Sequence, residues 1–127
     1  MGPLPAGKLV RDDIPDIIEK DTGKRPRIIV LEGTYLRLEA FKKLQEEMGE
    51  LLRTTTREEA MEECGDVLEI YEFCEKLGCT RGTHVALATV EEFCHRYNTT
   101  LDEAKIAQAK KLAQRGGFSK GYYLVTE

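Results

Sequence analysis

The spacing of apolar residues predicts two adjacent amphipathic helices in the middle of the chain. From about Tyr35 to Arg53, apolar residues recur every three or four positions, as on one buried helical stripe. Residues 56–59 form a capping-box sequence, in which the side chains of Thr56 and Glu59 each accept from the other residue's backbone N–H. A second apolar stripe follows this sequence. This second helix is expected to end at Gly78. Because the connection is so short, we expect the two helices to pack as an antiparallel hairpin.

Two further helices are predicted after the hairpin. Thr83 is a candidate cap for a helix over residues 85–97, and residues 100–103 form a second capping-box sequence. The helix that this second box opens is expected to end at the glycine pair that begins with Gly116, because glycine favours helix C-termini.

Only two segments have the composition of β-strands. Residues 28–31 are rich in branched apolar side chains, and residues 122–125 form a short apolar tail. Isolated short strands are marginally stable, so the two are expected to pair. The predicted fold is mainly α. It is an antiparallel helical bundle of four or five helices built on the hairpin, with one short two-stranded pairing of N-terminal and C-terminal segments.

Length and composition predict one soluble domain covering residues 1–127. The chain has 127 residues and is 41% hydrophobic, enough for a core without disulfides, so its four cysteines are expected to be reduced. Its net charge of −4 argues against nucleic acid as a partner, since nucleic-acid binding usually requires a basic face. No segment has the ~18 apolar residues of a membrane span, and residues 1–10 lack the apolar core of a signal peptide. We therefore expect a cytoplasmic protein without a membrane partner.

Charge is unevenly distributed along the chain. Residues 39–75 contain twelve acidic and four basic residues, a local charge of −8. Residues 105–120 contain five basic residues and no acidic residue. An acidic centre is thus followed by a basic C-terminal segment.

The acidic centre contains an internal repeat. Residues 46–52 align with residues 62–68, with four identities and three conservative differences. The repeat places Glu47 and Glu50 on the first helix and Glu63 and Asp66 on the second, each pair beside the apolar stripe. Antiparallel packing is expected to bring the two pairs together.

Four clustered carboxylates need cations. At ~6 Å separation and an effective dielectric of 20, each pair repels by roughly 3 kcal/mol. Oxygen ligands without histidine or cysteine suit Mg²⁺, or Mn²⁺ in its place, and Mg²⁺ in proteins is commonly shared with substrate phosphates. Gly49 and Gly65 occupy equivalent positions in the repeat, and each costs about 1 kcal/mol in mid-helix. We expect both to allow close approach of backbone or ligand.

The spacing of these carboxylates resembles a known family. The pair from Glu47 to Glu50, a gap of twelve residues and the pair from Glu63 to Asp66 resemble the all-α nucleoside triphosphate pyrophosphohydrolases, the MazG and phosphoribosyl-ATP pyrophosphohydrolase superfamily. Residues 8–15 and 115–118 resemble a subgroup of short, largely uncharacterised members. The resemblance spans most of residues 8–125.

The resemblance implies an activity, a metal site and an oligomeric state. The reaction is hydrolysis between the α and β phosphates of a nucleotide, giving a monophosphate and pyrophosphate in a house-cleaning or nucleotide-pool role. Mg²⁺ would be bound by Glu47, Glu50, Glu63 and Asp66, and the protein would be a homodimer or homotetramer. By the same comparison Glu47 would position or deprotonate the attacking water.

Four basic residues are candidates for phosphate binding, on the grounds of their charge and their place in the motif-like segments. They are Lys8, Arg11, Lys111 and Arg115. Each of them is also compatible with an ordinary surface charge.

Other features of the chain leave alternatives open. Residues 78–98 form an apparent insertion of about one helix relative to the short members and supply both histidines, to which no chemistry is assigned. Tyr35, Tyr71 and Phe73 are candidates for stacking on a base or for the core. The four-residue pattern from Glu92 to His95 is that of a di-iron carboxylate bundle. A non-catalytic helical dimerisation or regulatory protein is the other alternative, in which the acidic hairpin only promotes solubility.

Overall fold

The computed structural model describes residues 3–79 and 82–127, which contain five α-helices and three short β-strands. In chain order these are β1 (Gly7–Leu9), α1 (Ile14–Thr22), β2 (Ile28–Val30), α2 (Gly33–Arg53), α3 (Arg57–Lys76), α4 (Thr83–Arg96), α5 (Leu101–Arg115) and β3 (Tyr122–Val125). The prediction of a mainly α helical bundle is confirmed. The apparent insertion forms α4, although residues 80 and 81 within it lie outside the described residues.

Helix α3 lies at the centre of the bundle. It packs against α2, α4 and α5, and its buried residues run the length of the helix from Ala60 to Cys74. One continuous core joins these residues to Leu44 on α2, Phe93 on α4 and, outside the helices, Leu9 and Phe118. The helical hairpin is thus α2 and α3, joined by three residues, as the sequence predicts.

The first capping-box prediction is correct for the Thr56 cap, which explains the sharp start of α3, but the predicted bond from the Thr56 backbone N–H to Glu59 is not found among the described residues. Thr56 is the N-cap, and its Oγ1 accepts a hydrogen bond from the backbone N–H of Glu59 at 3.2 Å. The Glu59 carboxylate accepts from the same hydroxyl at 2.9 Å. Helix α3 ends at Lys76, slightly before the glycine predicted to stop it.

Two of the predicted helix starts differ from the structure, and one predicted cap lacks its hydrogen bonds. Helix α2 begins at Gly33, slightly before the predicted start near Tyr35. Helix α4 begins at Thr83 itself because Gly82 takes the N-cap position with a left-handed φ of 80°, and the Thr83 hydroxyl donates to Glu75 on α3 instead. The second capping box does not form among the described side chains, because the Glu103 carboxylate pairs with Arg57 at 2.6 Å.

The sheet has three strands where two were predicted. Strand β3 lies in the middle of the order β1-β3-β2 and is antiparallel to both neighbours, with Ile28 opposite Leu124 and Leu9 opposite Tyr123. The predicted pairing of residues 28–31 with the tail is therefore correct, and β1 is the addition. Gly7 is required in β1, because a Cβ there would lie 2.2 Å from the carbonyl oxygen of Leu124.

Burial of the cysteines agrees with the prediction of reduced, structural thiols. Cys64, Cys74 and Cys94 are buried and Cys79 is half-buried, and all four are free. Burial raises the pKa of both Cys64 and Cys74 to about 12. Within the described ranges, no helix has both the length and the apolar character needed to cross a bilayer.

Candidate functional site

The hairpin brings three of the four predicted metal ligands into one cluster. Carboxylate oxygens of Glu47 on α2 and of Glu63 and Asp66 on α3 lie within 4.8 Å of one another. Helical spacing accounts for this, since Glu63 and Asp66 are three residues apart on one face and the short connection places that face beside α2. Residues of the internal repeat therefore come together in the structure, and we call Glu47, Glu63 and Asp66 the acidic cluster.

The fourth predicted ligand belongs to a second, overlapping group. Glu50 lies with Glu46 and Glu47, again with carboxylate oxygens within 4.8 Å of one another. The four predicted ligands are therefore distributed over two triads that share Glu47. Glu46 was not predicted as a ligand, although it stands next to Glu47 in the repeat.

Two carboxyl groups in the cluster have raised pKa values. Burial, followed by the hydrogen bond to Glu47, raises the pKa of Glu63 to about 8. Burial also raises the pKa of Glu47, while the hydrogen bond from Glu63 acts in the opposite direction. Glu63 is therefore the carboxyl group of the pair that holds a proton near neutral pH, and this relieves part of the repulsion expected from the sequence.

Basic side chains neutralise the third carboxylate of the cluster. Asp66 accepts hydrogen bonds from Arg11 at 3.0 Å and from Lys111 at 2.8 Å, and the three side chains are only 8–13% exposed. Hydrogen bonds to Asp66 and Glu62 outweigh the opposing effect of burial, so the pKa of Lys111 is raised. The chain thus supplies two cations of its own to Asp66.

The donor set fits a hard divalent cation. Glu47 Oε2 and Glu63 Oε2 are buried and are the two side-chain oxygens of the described residues that have no hydrogen-bond partner despite burial. Buried polar atoms are normally paired, so these two oxygens are available to bind a ligand. Carboxylate oxygens that converge within a few ångströms are the ligands that Mg²⁺ and Mn²⁺ prefer.

A cavity of about 290 Å³ opens beside the acidic cluster, and we call it the cationic cavity. Glu47 and Asp66 form part of its wall, and Ile14, Ile18 and Phe118 provide apolar surface. Its wall also includes five basic side chains, those of Lys8, Arg11, Lys43, Lys111 and Arg115. All four predicted phosphate-binding residues therefore line the same cavity.

The cationic cavity depends on contacts between the two ends of the chain. Arg11 donates from its second guanidinium nitrogen to the carbonyl oxygen of Gly116 at 3.0 Å and lies 5.3 Å above the ring of Phe118. The backbone N–H groups of Asp12 and Asp13 donate to carbonyls at residues 117 and 115. The two motif-like segments of the sequence, 8–15 and 115–118, are thus bonded to each other.

Lys43 is the main residue that the sequence did not reveal. It lies on α2, 13% exposed, with its Nζ 3.6 Å from carboxylate oxygens of both Glu46 and Glu47. The available signal was its position four residues before Glu47, where helical side chains meet. In the sequence it appears as one of the few bases within a long acidic segment.

The two glycines of the repeat have different environments. A Cβ on Gly65 would lie 2.7 Å from the backbone nitrogen of Gln108, so this glycine allows α5 to approach α3, as predicted. A Cβ on Gly49 would meet only the flexible end of Arg53 at 3.4 Å. The predicted close approach at Gly49 is therefore not found among the described residues.

The residues of the alternative hypotheses belong to neither acidic triad. Glu92 and His95 are exposed on α4, and the two acidic triads are the only groups of potential metal ligands found in the described residues. His84 is also exposed. Tyr71 and Phe73 pack against the hydrophobic core, and Phe73 lies 6.0 Å from the ring of Phe118.

The raised pKa of Glu63 predicts how stability depends on pH. Because the pKa of Glu63 is raised in the folded chain, its stabilising contribution is complete below its ordinary pKa and is lost as the pH rises through about 8. In EDTA we expect the melting temperature to fall by about 5 °C between pH 5 and pH 9. Thermal unfolding followed by circular dichroism measures this fall.

Two further melting curves isolate the contribution of Glu63. Glu63→Gln should remove most of the fall, whereas Glu92→Gln, which changes an exposed carboxylate, should retain it. Addition of Mg²⁺ should also reduce it, because a bound cation takes the place of the proton. An equal fall in melting temperature with pH for the wild-type chain and Glu63→Gln would contradict the raised pKa assigned to Glu63.

Comparison of the chain with protein-family models, with curated proteins and with solved structures gives no match in any of the three.

Proposed function

We propose that this chain is a Mg²⁺-dependent nucleoside triphosphate pyrophosphohydrolase, which cleaves its substrate between the α and β phosphates. The observation that carries the proposal is the cationic cavity, in which five basic side chains face Glu47 and Asp66 of the acidic cluster. A ligand that suits such a wall is an anion able to share a divalent cation with carboxylates, and a phosphate chain has this property. The resemblance of the repeated motif to the pyrophosphohydrolases supports the same reaction.

Glu47, Glu63 and Asp66 would hold the cation, with Glu50 contributing through the second triad. Mg²⁺ bound there supplies charge neutralisation for the phosphate oxygens and lowers the pKa of a coordinated water. Deprotonated Glu63 would be needed for this, so a bound cation would compete with the proton that the raised pKa of Glu63 favours. Mn²⁺ is expected to substitute, since it accepts the same oxygen ligands.

The basic wall would bind the phosphate chain. Arg11 is fixed by Asp66, by the Gly116 carbonyl and by Phe118, and a guanidinium has five N–H donors, so it can bind phosphate oxygens without losing these contacts. Lys111 is held in the same way by Asp66 and Glu62. Lys8 and Arg115 are exposed on the rim and can move towards a ligand. Such donors stabilise the charge that develops on pyrophosphate as it leaves.

Glu47 is the residue best placed to act on water. It lines the cationic cavity and has a buried oxygen without a hydrogen-bond partner among the described residues. In the proposed reaction Glu47 orients the attacking water and accepts its proton, the phosphoanhydride bond breaks, and a nucleoside monophosphate and pyrophosphate are released. The apolar side chains of Ile14, Ile18 and Phe118 limit the access of other water molecules.

Oligomeric state and location are part of the same proposal. By the resemblance, the protein would act as a homodimer or homotetramer in the cytoplasm. A non-catalytic dimerisation or regulatory protein is the competing hypothesis, and it requires neither Mg²⁺ nor the carboxylates of the cluster.

The reaction is tested by a panel of nucleotides incubated with Mg²⁺. We expect pyrophosphate and a nucleoside monophosphate as products, with no orthophosphate, and we expect EDTA to stop the reaction. Ribonucleoside and deoxyribonucleoside triphosphates, modified triphosphates and phosphoribosyl-ATP belong in the panel because all contain the same bond. Orthophosphate as the only product, or equal rates in EDTA, would refute the proposed reaction.

A further inference from the structure

A second and larger cavity adjoins the cationic cavity. It has a volume of about 640 Å³ and lies between the N-terminal segment, helix α2 and strand β3. Lys8 and Lys43 line both cavities, so the two are adjacent. Glu46 of the second acidic triad also lies in its wall. A molecule whose phosphates occupy the first cavity can therefore extend into the second.

The wall of this larger cavity suits a flat, partly apolar group. Pro3, Leu4 and Leu38 supply apolar surface, and the half-buried ring of Tyr35 lies beside them. Bases stack readily on aromatic rings. Tyr35, proposed from the sequence as a base-stacking candidate, is thus the one of the three aromatic candidates that lies in this wall.

Two buried residues of this wall, Glu39 and Tyr123, offer hydrogen-bond acceptors, although lysines line the wall as well. Glu39 is a carboxylate on α2 that is only 8% exposed, and Lys42 donates to one of its oxygens, Oε2, at 3.1 Å. The hydroxyl of Tyr123 donates to the Pro5 carbonyl at 2.6 Å, which leaves its oxygen able to accept. Burial, followed by the charge of Glu39, raises the pKa of Tyr123. Both side chains line the same cavity, where they can accept from a ligand that carries N–H donors.

The distance along α2 matches the length of a nucleotide. Glu39, Lys43 and Glu46 follow one helical face at intervals of four and three residues. Glu39 and Glu47 are eight residues apart, or about 12 Å along the helix axis. This is similar to the span from the α phosphate to the far edge of the base in an extended nucleotide.

We propose that the larger cavity is the nucleoside site of the enzyme and that Glu39 selects guanine by accepting from the two adjacent N–H donors of its Watson–Crick edge. This inference rests on the proposed function for the orientation of the phosphates. Guanine presents N1–H and the N2 amino group side by side, and a carboxylate can accept from both. Adenine has an acceptor at N1 and hypoxanthine lacks the amino group, so both are expected to bind less well.

The first experiment compares base discrimination in hydrolysis. Pyrophosphate release is measured for GTP, dGTP, ITP and ATP with Mg²⁺, using the wild-type chain, Glu39→Gln and the control Glu92→Gln. We expect the ratio of kcat/KM for GTP over ATP to be about 10 to 100 in the wild type, from the usual discrimination of a bidentate base contact. Glu39→Gln should lower this ratio to about 3 or less by raising KM for GTP, with kcat retained. Glu92→Gln should leave it unchanged.

The second experiment separates the nucleoside site from the reaction. Binding of GMP and AMP in EDTA is measured by NMR titration of the same three proteins. Tighter binding of GMP than of AMP, lost in Glu39→Gln and kept in Glu92→Gln, would support the nucleoside site. It would do so even if no triphosphate is hydrolysed. Absence of hydrolysis would refute only the proposed function. Equal affinities for GMP and AMP would overturn the inference even if hydrolysis occurs. The inference would also be overturned if Glu39→Gln changed only the ratio of kcat/KM for GTP over dGTP, because Glu39 would then contact the sugar.

Discussion

Replacement of any one carboxylate of the acidic cluster, or of Glu50, is expected to reduce pyrophosphate release by at least about 100-fold, the usual loss when a charge-stabilising group is removed from an active site. The variants are Glu47→Gln, Glu50→Gln, Glu63→Gln and Asp66→Asn. Each keeps the size of the side chain and removes a charged ligand of the proposed cation. The rate of pyrophosphate release with saturating Mg²⁺ measures the effect, with Glu92→Gln as the control that should keep full activity.

Stability should divide these variants into two groups. Glu47→Gln and Glu63→Gln remove like charge from a crowded pair, so the free energy of unfolding at pH 8 in EDTA should rise. Asp66→Asn should lower it by about 2 kcal/mol, because Arg11 and Lys111 would lose the carboxylate that neutralises them. From the sequence alone, relief of repulsion would be expected at all four positions, and the structure changes that expectation for Asp66.

Two outcomes would contradict this account. Full activity in any two of the four variants would exclude the cluster as the catalytic site. An increase in stability for Asp66→Asn equal to that for Glu63→Gln would show that Arg11 and Lys111 do not depend on Asp66. Urea denaturation at fixed pH provides the free energies.

Gly65→Ala is expected to destabilise the chain by about 3 kcal/mol, while Gly49→Ala is expected to stabilise it by up to about 1 kcal/mol. A Cβ at residue 65 would lie 2.7 Å from the backbone nitrogen of Gln108, and backbone on α5 cannot yield without moving the helix. A Cβ at residue 49 would meet only the end of a long side chain, so the better helix propensity of alanine prevails.

The glycine pair is a matched experiment, since the two residues are equivalent in the repeat and undergo the same substitution. Urea denaturation of both variants gives the two changes in free energy. Because α5 carries Lys111, displacement of α5 in Gly65→Ala should also weaken the cationic cavity and lower activity. Similar effects of the two substitutions would show that α3 and α5 are not as close at residue 65 as the structure places them.

Local signals were sufficient for much of the fold. The apolar stripes of α2 and α3 and the Thr56 cap depend on residues within a few positions of one another, and they were predicted correctly. Strand β1 was not predicted, because its three residues have no strand pattern of their own and are held by β3 from the other end of the chain. Likewise the start of α4 depends on the left-handed backbone of Gly82, which took the place expected for Thr83.

The site was predictable in its residue types but not in its electrostatics. Repetition along the sequence identified Glu47, Glu63 and Asp66 because helical spacing is a local property. The raised pKa of Glu63 depends on burial and on Glu47 across the hairpin, and a sequence pattern shows neither. Lys43 was missed for a similar reason, since its role depends on two cavities that meet beside it.

The bond from Arg11 to Gly116 joins residues 105 positions apart, whereas the acidic triads are made by helices that are adjacent in the chain. Contacts between distant residues carry a larger loop-closure entropy than contacts within a hairpin. Fraying of the terminal strands is therefore expected to open the basic wall while the carboxylates stay in place. Affinity for an anion should then disappear on heating or in mild denaturant before affinity for a divalent cation does.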